Sequence, residues 1–100
     1  MYVTAPDLAT ARRLARELLE ARLVACVNVW PLTSLYRWGG EVREEAEFAM
    51  LLKTRRALVP DLERGLAASH PYDVPCVVAW SIVDGAAAYL AWVGEETRAP

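Results

Sequence analysis

Apolar positions along this chain alternate between a period of two and a period near 3.6, and each switch marks an element. Residues 2–4 read as a short strand. Pro6-Asp7 then opens a helix with Asp7 as its N-cap, because an aspartate oxygen accepts a free N–H of the first turn. Leu8, Ala11, Leu14, Ala15, Leu18 and Leu19 follow at helical spacing as one apolar stripe. Arg13/Glu17 and Arg16/Glu20 form i,i+4 pairs on the wet side. Residues 23–30 are apolar except for Asn28 and read as a mostly buried strand. Pro31 has no N–H to give a ladder, so it requires a bend or an edge position. The strand resumes through Trp38, turns at Gly39-Gly40 and returns from Glu41. A two-residue turn there sets Trp38 opposite Glu41, Arg37 opposite Val42 and Tyr36 opposite Arg43.

Residues 48–52 read as a central strand. A second helix spans 57–68, with Pro60 in its first turn and Leu58, Leu62 and Leu66 at i,i+4 spacing. His70-Pro71 stops it, since a residue before proline disfavours helical dihedrals. Residues 72–75 form a loop, 77–83 a fourth strand, Asp84-Gly85 a turn, and 86–96 a third helix bearing Tyr89, Leu90, Trp92 and Val93. The order βαββαβα, in one domain spanning residues 1–100, predicts an α+β ferredoxin-like sandwich with an extra C-terminal helix. Its sheet order is 4-1-3-2, with helices on one face. One chain has no spare helix for the other face, which predicts an oligomer that packs sheets face to face or edge to edge.

Composition narrows the function. The net charge is −2, which gives no electrostatic case for nucleic acid or an anionic membrane. No apolar run reaches the roughly 18 residues of a membrane span, and no basic segment precedes an apolar run at the start, so the expectation is a cytoplasmic protein. Four Trp and four Tyr are a heavy aromatic load for 100 residues, of a kind enriched at subunit interfaces. Two cysteines fit free thiols in a reducing compartment. An iron–sulfur cluster needs about four cysteines. RNP motifs, phosphate loops and a nucleophile elbow are all missing, and a single histidine excludes HExxH zinc chemistry.

What remains is a soft-ligand set, Cys26, His70 and Cys76, of the type that suits copper or zinc. The predicted sheet order sets Cys26 and Cys76 on opposite edge strands, roughly 14 Å apart at the usual strand spacing. One protomer therefore cannot join them, and only an oligomer that brings the second strand of one chain to the fourth of another can. Each also has a structural reading: Cys26 as a small buried hydrophobe, His70 as a helix terminator, Cys76 as a loop thiol. Asp73, Glu41 and Glu47 read as solvated charges.

The motifs together resemble the CutA family of divalent-cation tolerance proteins. They are Ala25-Cys26-Val27-Asn28, Ser34-Leu35-Tyr36-Arg37-Trp38-Gly39-Gly40-Glu41, Lys53-Thr54 and His70-Pro71-Tyr72-Asp73-Val74-Pro75, in the family's order and over nearly the whole chain. The resemblance implies a homotrimer similar in architecture to the P-II signal proteins, held through the 36–41 hairpin and the sheet edges. It also implies a role in metal-ion tolerance, with copper the ion usually named, and no direct catalytic activity. The chain departs from the family where Cys76 replaces the usual glutamate after Val-Pro, and its first strand starts without a few residues common in the family. A thiolate at position 76 shifts preference from harder ions toward copper(I) or zinc. Two other readings stand beside this one. The first is a P-II-like sensor that binds a small anion between protomers through Arg37, Arg43 and Lys53. The second is an assembly module whose hairpin joins partners.

Overall fold

A computed structural model describes residues 1–100. The chain forms β1 (Tyr2–Ala5), α1 (Leu8–Glu20), β2 (Cys26–Trp38), β3 (Glu41–Lys53), a 3-10 turn (Arg56–Leu58) that runs into α2 (Val59–Ser69), β4 (Val77–Val78) and α3 (Ala87–Glu96). The sheet order is β2-β3-β1-β4 and every pairing is antiparallel. This is the ferredoxin-like sandwich with an added C-terminal helix.

Asp7 caps α1, accepting from the Thr10 N–H at 2.7 Å, and this bond holds its carboxyl below the usual range. Ala11, Leu14, Ala15 and Leu18 are buried, whereas Leu19 sits at the border of the stripe and is partly exposed. Arg13 pairs with Glu17 at 3.1 Å and also donates to the Ser69 carbonyl, which ties α1 to the end of α2. Arg16 and Glu20 form no ion pair; both stand on the exposed side, where such a pair offers little. The core lies between this helical layer and one sheet face, with Val3, Met50, Leu52, Leu58, Leu62 and Leu66 at 2% exposure or less. Each such leucine contributes about 2 kcal/mol through burial.

The hairpin has the predicted register: Trp38 faces Glu41, Arg37 faces Val42 and Tyr36 faces Arg43. Gly39 and Gly40 both adopt positive φ, +59° and +79°, which a tight two-residue turn needs and a side chain resists. β2 runs unbroken through Pro31, opposite Phe48, because β2 is an edge strand and loses nothing there to a missing N–H. Leu23, Val24 and Ala25 are buried but precede the strand rather than belong to it.

The fourth strand is the main departure. The predicted strand 77–83 is reduced to Val77–Val78, paired with Val3 and Tyr2. Because the pairing is antiparallel and β1 starts at Tyr2, the chain beyond Val78 runs past the start of its partner. Residues 79–86 carry no regular structure, and Asp84-Gly85 forms no turn. Trp80, Ile82 and Val83 are exposed along this stretch.

Candidate functional site

Side chains alternate across a strand, so the odd-numbered residues of β3 share the sheet face away from α1 and α2. Arg43, Glu45 and Glu47 stand on that face, with Tyr36, Ser34 and Leu32 opposite them on β2. Tyr2 and Thr4 of β1 and the loop Tyr72–Cys76 close the other side, leaving a cleft of about 890 Å³.

Glu47 is not the solvated charge expected from its sequence context. It is 7% exposed, and the Tyr72 hydroxyl donates to its Oε2 at 3.1 Å. Burial, then the bond to Glu47 and the nearby charge of Glu45, push the Tyr72 phenol up to about 12. Glu45 beside it raises the Tyr36 phenol, and burial together with Cys76 and Glu47 raises Tyr2. The cleft is thus a set of protonated phenols around two carboxylates, with the exposed Cys76 thiol beside Tyr2.

His70 is buried under this loop. Its Nε2 lies 2.7 Å from the Thr4 carbonyl oxygen, and its Nδ1 accepts the Tyr72 N–H at 3.1 Å. A carbonyl can only accept and an amide N–H can only donate, so Nδ1 carries the lone pair and Nε2 the hydrogen. Both ring nitrogens are committed to the backbone. The ring also packs on Tyr72, with centroids 4.9 Å apart. His70 therefore sets the position of Tyr72, and through it the loop that carries Cys76.

Cys26 lies elsewhere. It is the first residue of β2, opposite Lys53 and half-buried, with the Tyr89 phenol of α3 beside it; burial and Cys26 raise that phenol. The protomer places Cys26, His70 and Cys76 at three separate positions, and it contains no cluster of three or more Cys, His, Asp or Glu arranged to hold a metal. Arg37, Arg43 and Lys53 are likewise apart. Arg37 points to the face opposite Arg43, and Lys53 is at the far end of β3, bonded to the Asn28 side chain. Sequence reasoning missed Glu47, Glu45 and Tyr72. The available signal was Glu47 directly before the apolar run 48–52, in phase with Ala49 and Leu51 on the same face.

A sequence model of the CutA1 divalent ion tolerance protein matches residues 1–96. The chain belongs to the CutA1 divalent ion tolerance family. The divalent-cation tolerance protein CutA of Thermus thermophilus is 47% identical over 97% of this chain and 95% of its own length. A single-substitution variant of CutA1 from Pyrococcus horikoshii superposes with a TM-score of 0.96 at 38% identity, over 98% of this chain and 96% of that one. The CutA of Archaeoglobus fulgidus, described as a periplasmic divalent cation tolerance protein, superposes with a TM-score of 0.93 at 40% identity, over 95% and 93%. No helix of this chain is long and apolar enough to cross a membrane.

The raised Tyr72 phenol has a consequence for stability. Its pKa moves from 10.0 to about 12 on folding, so the folded state favours the protonated form. The stabilisation is complete below pH 10 and is lost as pH rises through about 12. Thermal melts across that window should show a steeper alkaline loss for the natural protein than for Tyr72→Phe, which has no proton to lose.

Proposed function

We propose that the protein serves divalent metal-ion tolerance as a cytoplasmic, non-catalytic homotrimer that binds copper. The observation that carries the assembly is the unpartnered stretch 79–83, which continues β4 past the end of β1 with Trp80, Ile82 and Val83 exposed. The free edge of β2 in a second copy offers this stretch a ladder, and three such contacts around an axis close a trimer without leaving an open edge. Trp30, Tyr36 and Trp38 on the uncovered sheet face add apolar surface of the kind that anchors subunits.

Family membership supports the tolerance role. Copper is favoured by the thiol chemistry: Cys76 opens into a cleft beside Glu47, and a neighbour seated on β2 brings Cys26 toward the β4 edge of another chain. His70 enters as the residue that positions the Cys76 loop. Isothermal titration of copper(I) and zinc into the wild type, Cys26→Ser and Cys76→Ser tests the site. Copper(I) affinity should fall at least about tenfold in Cys76→Ser, and equal affinity in both variants and the wild type removes the metal assignment. Within one protomer Arg37, Arg43 and Lys53 do not converge, so the anion-sensor reading requires that neighbouring copies bring them together.

A further inference from the structure

The loop between α2 and β4 hangs on one titratable ring. β4 pairs only with Val3 and Tyr2, and the His70 ring takes up the next carbonyl of β1, that of Thr4, with Nε2 at 2.7 Å. On its other side Nδ1 accepts the Tyr72 N–H at 3.1 Å. Tyr72 in turn donates its hydroxyl to Glu47. These two bonds of Tyr72 are the only hydrogen bonds that residues 71–76 make. One of them ends on the ring, and the other depends on the ring holding Tyr72 in place. His70 itself is 8% exposed, so water does not replace a bond lost there.

The two ring nitrogens respond differently to acid. Nε2 carries a hydrogen in either protonation state and keeps the Thr4 carbonyl. Nδ1 accepts with the one free lone pair of the neutral ring, and a proton added there sets an N–H against the Tyr72 N–H. The ring then stays with the sheet and lets the loop go. The charged groups around it do not reverse this. Arg13 of α1 donates to the Ser69 carbonyl, one residue before the ring, and opposes a second positive charge. Glu47 of β3 favours one, but the Tyr72 hydroxyl stands between and engages its Oε2. The Tyr72 phenol, pushed up to about 12, is neutral in this range, and Asp73 stands exposed on the loop. We propose that His70 is an acid-sensitive latch. The neutral ring clamps Tyr72 to β1, and protonation releases residues 71–76 and opens the side of the cleft that they close. The latch works inside one protomer and needs neither a metal nor a second copy.

The chain has a single histidine, so a ring titration is assigned to it directly. The Met1 amine, lowered by burial and by Lys53 and bonded to the Leu52 carbonyl, is the other group to separate. The natural protein, in chelator, is followed by NMR of the ring nitrogens and by exchange of the Tyr72 amide between about pH 7.5 and about pH 5. The Nε2–H tautomer is expected at the upper end and a proton on Nδ1 at the lower. As the ring charges, the Tyr72 protection factor, corrected for the intrinsic rate, should fall by about tenfold or more, while those of Met50 and Leu52 hold. In His70→Asn the side-chain oxygen accepts an N–H two residues on and takes up no proton, so Tyr72 protection should stay flat across the range. An Nδ1–H tautomer at the upper pH, a ring still neutral at the lower, or Tyr72 protection unchanged while the ring charges overturns the proposal. So does an equal fall in His70→Asn, which would place the acid dependence in the Met1 amine or a carboxylate.

Discussion

His70→Ala should lower protomer stability by about 2–4 kcal/mol, the sum of two buried backbone groups left without partners and a lost packed ring. The Thr4 carbonyl loses its donor and the Tyr72 N–H its acceptor. For a chain of this size the melting temperature should fall by about 15 °C. The loop then loosens, and Tyr72 loses the support that aims its hydroxyl at Glu47. The measurement is thermal melting in the presence of a strong chelator. A ligand role predicts a loss of stability only when metal is bound, whereas a positioning role predicts the same loss with the chelator present. Unchanged melting in chelator would return His70 to the metal ligands and sink the assignment made from its hydrogen bonds.

The second large effect concerns assembly. Ser81→Pro and Ile82→Pro should leave the protomer folded, because the backbone of residues 79–85 makes no hydrogen bond within the chain. Along a strand, successive N–H groups point to opposite sides, so one of the two substitutions must strike the side that pairs with a second copy. Each blocked contact removes a ladder hydrogen bond and leaves the facing carbonyl unpaired, at about 1–3 kcal/mol, repeated at every equivalent interface. Sedimentation should show an oligomer for the natural protein and a folded monomer for one of the two variants. Oligomers that survive both prolines would refute the strand-addition geometry.

Much of the fold was legible because local chemistry decides it. Two glycines fix the hairpin register, a capping aspartate starts α1, and the Leu58/Leu62/Leu66 spacing faces α2 inward. The fourth strand was overextended because an apolar run such as 77–83 shows that a strand wants a partner but not which chain supplies it. Glu47 was misread because its burial depends on Tyr72, 25 residues later, and only the folded chain brings the two together. Within one protomer the basic trio Arg37, Arg43 and Lys53 is dispersed: strand parity separates the first two, and strand length isolates the third.

β2 and β3 run together for 13 residues each, while β1 covers only Phe48 to Leu51 of β3. Beyond Glu47 the hairpin is an arm of two strands with no third neighbour in its own chain, and it stretches the molecule to 44 × 27 × 21 Å. A lone two-stranded ribbon is marginal in water. Amide exchange should therefore divide the hairpin in two. The half near Met50 and Leu52 should resist exchange even at high dilution. Protection of the half toward Gly39 should rise with protein concentration, making the arm a built-in reporter of whether the chain has found its companions.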